Sequence, residues 1–277
     1  NVTNHNALLR RLSENGNIST VTGRDIVREL EYASNGTVGF YSGYETLDVS
    51  PSDVLTSATF SYKQMAGNVT ISGLEQIQNS GTEAIINLLE SRIGVLEKTM
   101  SNTLSTSLYS DGTGTSGKEV GGLQLIVADA GTGTVGGINS STYTFWQNAQ
   151  TTATSSAFST TNVQADMNTI YLSLVRGADS PDLIMADTNA YKSFLGSLQA
   201  IQRVTSDRVA TSGFTSVQYL NSDVIFDDAC PTNKMYFLNT DYLRLEVAAN
   251  RNFVPGEAKM SVNQDAMVTT MFWSGNL

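Results

Sequence analysis

The apolar and polar positions change period several times along the chain, and each change marks an element. Near the start, Leu8, Leu9 and Leu12 share one helical face beside Arg10 and Arg11. After a polar stretch containing Gly16 and Gly23, a further helical turn or two is expected at 24–32, with Ile26, Val27 and Leu30 on one side. Segment 1–37 reads as an arm that buries little by itself, either a frayed terminus or a segment that docks on a neighbouring subunit. Residues 38–72 read as extended. Phe40-Tyr41-Ser42-Gly43-Tyr44 is rich in aromatics, while 58–63 and 68–72 alternate apolar with polar, the period of a strand. With a turn expected at 47–53, this is a long hairpin with few large aliphatic residues. Two-stranded ribbons are marginal in water, so it needs a partner surface in its own chain or another.

The strongest local signal lies at 81–110. Ser80 and Glu83 have the spacing of a capping box. Ile85, Leu89, Ile93, Leu96, Met100, Leu104 and Leu108 then recur every three or four residues, one apolar stripe along a helix of about 40–45 Å. Asp111-Gly112 ends it. Such a helix packs against a sheet or lies along an extended body. Further on, Leu123 to Ala128 reads as a strand. A helix follows at 162–176, with Thr161 and Gln164 framing a second box and Val163, Met167, Ile170, Tyr171 and Leu174 as its stripe. Asp182 to Ala186 reads as a short buried strand. Asp187 caps a helix whose Tyr191, Phe194, Leu195, Leu198 and Ile201 face inward. From 214 on the pattern is strands, at 224–226, 235–238, 242–247 and 266–273. The mixture is α+β.

Composition narrows the chemistry. The 277 residues hold 16 Lys and Arg against 26 Asp and Glu, a net charge of −10, and only 15% are charged, where about 25% is usual. One His (His5) and one Cys (Cys230) cannot build a structural zinc site or a disulfide framework. A chain this acidic is a poor candidate for gripping phosphate backbones. No apolar run approaches the roughly 18 residues that span a bilayer, so no membrane partner is expected.

Several motifs resemble sites. Gly131, Gly133 and Gly136 match GxGxxG after an apolar segment, but the residues that follow have poor helix propensity, and without a helix N-terminus nothing holds a pyrophosphate. A nucleotide-binding α/β enzyme using the Gly131–Gly136 loop is the alternative reading; a mobile surface loop is favoured. Gly112 to Lys118 nearly matches a phosphate loop, but it follows a helix and has Glu119 where a hydroxyl belongs. Asp223, Asp227 and Asp228 flank Val224-Ile225-Phe226 and read as turn residues before Cys230-Pro231 rather than an acid–base pair. The aromatics say more. Tyr41, Tyr44, Phe60 and Tyr62 on the hairpin, with Phe145, Trp146 and Trp273, lie on segments that cannot bury them within a compact body, which points to contacts between subunits.

Ordered blocks along the whole chain carry a resemblance. They include Asn6-Ala7-Leu8-Leu9-Arg10-Arg11-Leu12, Tyr41-Ser42-Gly43-Tyr44-Glu45, Leu108-Tyr109-Ser110-Asp111-Gly112-Thr113, Asp227-Asp228-Ala229-Cys230-Pro231 and the closing Phe272-Trp273-Ser274-Gly275-Asn276-Leu277. In order and spacing the chain resembles the major capsid proteins of tailed bacteriophages, with the Hong Kong 97 type of capsid fold. The resemblance implies an N-terminal arm at 1–37, an extended E-loop hairpin at 38–75, a peripheral domain with a long spine helix at 76–119 and 240–277, and an axial domain at 120–239. It implies a structural protein of the virion, not an enzyme, with no cofactor and no metal. Copies self-assemble into hexameric and pentameric capsomers of an icosahedral head shell, built in the bacterial host cytoplasm, which encloses double-stranded DNA without reading its sequence. Portal, scaffolding and decoration proteins are the further partners implied. Tyr44, Phe60, Tyr62, Leu8 and Leu9 are the expected subunit-interface residues. Some relatives carry a Lys–Asn isopeptide, for which Lys63 and Asn263 or Asn276 are the residues to examine.

Overall fold

The computed structural model describes residues 7–78, 88–198, 217–261 and 264–277. In chain order its elements begin with helix α1 (Ala7–Glu14), strands β1 (Ile18–Val21), β2 (Ile26–Glu31), β3 (Leu55–Phe60) and β4 (Lys63–Ser72), and helices α2 (Gly73–Gln78) and α3 (Leu88–Ser107). Two single turns, α4 (Gly114–Gly117) and α5 (Leu123–Ile126), lead to a small hairpin of β5 (Thr134–Val135) and β6 (Ile138–Asn139). A helix–strand block follows: α6 (Val163–Leu174), β7 (Leu183–Ala186), α7 (Thr188–Leu198), β8 (Val217–Tyr219), β9 (Ser222–Phe226) and β10 (Met235–Leu238). Strands β11 (Leu245–Ala248), β12 (Val254–Pro255), β13 (Lys259–Met260) and β14 (Ala266–Asn276) close the chain. Among the described residues no helix is long and apolar enough to cross a membrane.

Strand β14 organises the first sheet. It pairs antiparallel with β4 from Ala266 opposite Ser72 to Gly275 opposite Lys63, and with β11, β12 and β13 on its other edge; β1 adds to β11 in parallel. Met271 and Trp273 of β14 point into the core with Leu245 and Val247 of β11. Helix α3 lies against β4. From Ile93 on, its stripe is the expected one: Met100, Leu104 and Leu108 are buried, and Ile93 and Leu96 pack on the same core; Leu89, expected on the stripe, is instead exposed. The close approach depends on Gly67 in the middle of β4. A Cβ there would stand 2.4 Å from Leu96 Cδ1 and 3.1 Å from Met100 Sδ, so any side chain would make those two residues give way or lift the helix from the sheet.

The second sheet has the order β10-β7-β9-β8, with β7 and β9 parallel through α7. All four residues of β7 are buried. Leu183 and Met185 join the core beneath α1 and α3, while Ile184 faces the other way, toward Val163 and Met167 of α6 and Phe194 of α7. One sheet is thus the shared wall of two apolar clusters, as its continuous apolar run requires. Asp187 caps α7 as expected, its carboxylate accepting from the N–H groups of Asn189 (3.2 Å) and Ala190 (2.9 Å).

Five expectations need correction. Residues 24–32 form strand β2, because a turn or two of isolated helix is unstable in water and β3 offers a six-residue ladder. The ribbon is therefore β2 with β3, not the pair within 38–72; β4 leaves it for the ten-residue match with β14. Part of the N-terminal arm belongs to the body, since Ala7, Leu8 and Leu12 are core and β1 is a sheet strand. Residues 123–126 make one helical turn, because the Leu123 N–H is taken by the Leu108 carbonyl at 2.7 Å, at the end of α3 rather than at a sheet edge. At α6 the second capping box does not form: Asn162 holds the cap position and the Gln164 amide donates instead to Ser197 on α7, at 3.1 Å. The Ser80–Glu83 box, Ile85 and Ile201 lie outside the described residues.

Candidate subunit-contact surfaces

Strands β2 and β3 run antiparallel from Ile26 opposite Phe60 to Glu31 opposite Leu55, and one more bond, Tyr32 N–H to the Val54 carbonyl at 3.1 Å, extends the ribbon. Beyond it, residues 33–53 have no ladder. Val38, Phe40, Tyr41, Tyr44, Leu47 and Val49 all stand in solvent, with Phe40 and Tyr44 at 108% and 107% of reference exposure. Six large apolar side chains on one projecting tip is a concentration that soluble monomers avoid. Polar spacing residues hold the tip's shape through local bonds: the Asn35 and Asp48 side chains accept from the N–H groups of Thr37 (3.0 Å) and Ser50 (2.9 Å).

The five expected interface residues separate. Tyr44 is on the open tip. Phe60 is half-buried at the ribbon's base, against Gly136 of its own chain. Tyr62 is also half-buried, its hydroxyl enclosed with no hydrogen-bond partner among the described residues. Leu8 is a correction: it is fully buried in the chain's own core and leaves no surface for a neighbour, and Leu9 packs partly on the same core. Trp273 is likewise core, 1% exposed, because β14 is the centre of a sheet and not a free segment. Asn276, a candidate for covalent linkage, is buried with its amide engaged: its oxygen accepts from Gly121 N–H (3.2 Å) and its nitrogen donates to the Ser61 carbonyl (3.0 Å). Lys63 donates to the Gly117 carbonyl at 2.6 Å. Asn263 lies outside the described residues.

The acidic residues around β9 have a role that sequence reasoning missed. Asp223 takes the Arg11 guanidinium at 2.7 Å, with both side chains largely buried. Asp227 accepts from the Leu8 N–H at the start of α1 (3.2 Å), the Tyr109 hydroxyl (2.8 Å) and the Ala229 N–H (3.0 Å). A carboxylate from the turn just after the distant strand β9 thus caps α1 and meets the positive end of its dipole. Burial pushes the Asp227 carboxyl above the ordinary range, more than these three donors lower it. Burial also raises the Cys230 thiol far out of reach of a reactive thiolate. The available signal was the basic, amphipathic α1, whose Arg11 needed a buried acid.

The two glycine loops hold no phosphate geometry. In α4, Thr115, Ser116 and Gly117 all have left-handed φ, of 50°, 59° and 76°, so no helix N-terminus forms there. Gly131 to Gly136 leads into the β5–β6 hairpin rather than a helix. A groove of about 570 Å³ runs between β10 and α6, lined by residues including Asp129, Phe158, Asp166, Met167 and Lys234, and none of Gly131–Gly136 lines it. Among the described residues no group of three or more His, Cys, Asp or Glu is placed to hold a metal ion.

No protein-family profile matches the chain, and no curated protein matches it in sequence. Solved structures do match it over nearly its whole length. The capsid asymmetric unit of cyanophage A-1(L) superposes with a TM-score of 0.72 at 16% identity, over 95% of this chain and 86% of that one. The capsid of a native GTA particle gives 0.61 at 11% identity, over 95% and 84%. The SrpI encapsulin complex of Synechococcus elongatus PCC 7942 gives 0.61 at 9% identity, over 97% and 81%. The chain therefore has the α+β Hong Kong 97 type capsid fold, as the sequence resemblance implied.

Proposed function

We propose that the chain is the major capsid protein of a tailed phage, a shell-forming subunit whose copies assemble into hexamers and pentamers around packaged double-stranded DNA. The fold supports the shell; the observation that carries assembly is the projecting tip, where Val38, Phe40, Tyr41, Tyr44, Leu47 and Val49 find no cover among the described residues of their own chain. In this reading the β2–β3 ribbon with its tip is the E-loop. The first sheet with α3 is the peripheral domain, and the β7–β10 sheet with α6 and α7 is the axial domain. Each tip lies on the next copy, a heterologous contact that closes into rings. Contacts of modest area suffice because each subunit makes several. The net charge of −10 suits a wall that confines DNA without binding it. Assembly takes place in the host cytoplasm, with portal and scaffolding or decoration proteins as partners.

Electron microscopy of the expressed chain tests this directly. Closed shells or ring-shaped capsomers are the expected result; a persistent monomer at high concentration, in every condition tried, defeats it. Because an encapsulin shares the fold, the shell's content decides the finer claim. Nuclease-protected double-stranded DNA in particles formed during infection supports a phage head, and a protein cargo in place of DNA overturns it.

A further inference from the structure

The GxGxxG segment has a use that is not a ligand site. Gly136 and Gly137 form the two-residue turn of the β5–β6 hairpin, with φ of +59° and +80°. That turn abuts the outer edge of β3. The Thr59 N–H donates to the Gly136 carbonyl at 2.9 Å. A Cβ on Gly136 would stand 2.6 Å from Ala58 Cβ and 3.0 Å from Phe60 Cζ, so Ala58, itself fully buried, occupies the space a side chain would need. Phe145, just beyond the hairpin, stacks on Tyr32 at the far end of the ribbon, with ring centroids 5.1 Å apart and planes 28° from parallel. The Trp146 indole donates to the Val135 carbonyl at 3.1 Å and ties the Phe145 turn to the hairpin. On the ribbon's other strand, Arg28 pairs with Glu246, a buried carboxylate that also accepts from Ser19.

We propose that the β5–β6 hairpin with Phe145 is a cradle that sets the direction in which the ribbon leaves the body, so that the apolar tip is presented to a second copy in one orientation. This rests on the shell-forming reading. The physical gain is preorganisation: two strands alone would swing, and the cost of ordering them would fall on every contact made during assembly. Gly136, Phe145 and Arg28 are then positioning residues, which act on assembly through the tip.

The two adjacent glycines provide a matched test. Gly136→Ala and Gly137→Ala impose similar backbone strain, but only the first collides with the ribbon, since nothing lies within 4 Å of a Cβ on Gly137. Spin labels placed by Thr46→Cys on the tip and Lys192→Cys on α7 report the tip-to-body distance in the unassembled subunit; the buried Cys230 stays unlabelled. The unsubstituted glycine pair and Gly137→Ala should give one narrow distance distribution, and Gly136→Ala a shifted or broadened one. Assembly followed by light scattering should slow about tenfold for Gly136→Ala relative to Gly137→Ala. An unchanged distribution in Gly136→Ala overturns the cradle. Should that variant fail to fold, Phe145→Ala removes the stack on Tyr32 and leaves the Gly136 turn in place, and must broaden the distribution; if it does not, the proposal is wrong. A chain that never assembles yet keeps a narrow distance sinks the shell reading and leaves the cradle intact.

Discussion

Trp273 and Tyr44 are both aromatic residues, one on a strand and one in a turn, yet one is 1% exposed and the other stands fully in solvent. The difference lies in what flanks them. Trp273 sits on a strand paired along both edges and covered by α3 and α1, so its burial belongs to the folding of a single chain. Tyr44 sits beyond the last bond of a two-stranded ribbon, where no element among the described residues covers it. The body buries its apolar residues for stability; on the proposed reading the tip exposes its own for association. If that division is right, substitutions in the two regions should move different observables.

The largest effect on the isolated subunit should come from Trp273→Ala. It removes the largest fully buried side chain of the main core, and truncations of this kind cost about 3–5 kcal/mol. Denaturant unfolding of the unassembled subunit measures it; a loss below about 1 kcal/mol would mean that the core around β14 is not the chain's main source of stability. Gly67→Ala should come next, at about 1–3 kcal/mol, because Leu96 and Met100 must give way or α3 must lift from β4. A second substitution, Leu96→Ala, should recover part of that loss by vacating the space. If Gly67→Ala is neutral in thermal unfolding, the close seat of helix on sheet is not as tight as described.

A smaller effect should appear in the pH dependence. Asp227 has a folded-state pKa raised by burial, so the folded chain holds its proton more tightly than the unfolded one. Its contribution to stability therefore falls as pH rises from the ordinary carboxylate range, near about 4, through the raised folded value, and is level above it. Asp227→Asn lacks that titration. The stability of the native chain minus that of Asp227→Asn should decline with rising pH across this window. A difference that is level across this window and rises instead below about pH 4 would show that the three donors outweigh burial and that Asp227 is held ionised.

The division between body and tip also explains what the sequence could and could not tell. The stripe on α3 was legible because a helix on a flat sheet needs a single repeating face, and the Asp187 cap because it is a local motif. Strand partners were not legible. Nothing within residues 38–72 says that β3 pairs backward with β2 while β4 pairs with a strand almost 200 residues later. The apolar character of Leu8, Trp273 and Tyr44 was equally visible, but whether each is covered depends on long-range pairing. The Asp227 cap joins residues 219 positions apart, a separation at which no local pattern reports contact. Gly136 was visible as part of a glycine motif, but its reason, the Ala58 side chain, lies on another element.

The smallest effect on the isolated subunit should belong to the residues proposed to drive its assembly. Phe40 and Tyr44 touch too little of their own chain for Phe40→Ser with Tyr44→Ser to change unfolding by more than about 0.5 kcal/mol. Their removal should nonetheless raise the concentration needed for assembly by at least about tenfold, since buried aromatic anchors dominate interface energies. Charge reversals at Glu45 and Asp48 on the same tip should do less, and less still at high salt, because rim charges are screened. The pattern to look for is opposition: Trp273→Ala lowers stability at any subunit concentration, while the tip variant leaves stability alone and acts only where copies meet. A tip variant that assembles at the native concentration, into shells as resistant to denaturant as the native ones, would show that the exposed aromatics are not the contact and that another surface joins the subunits.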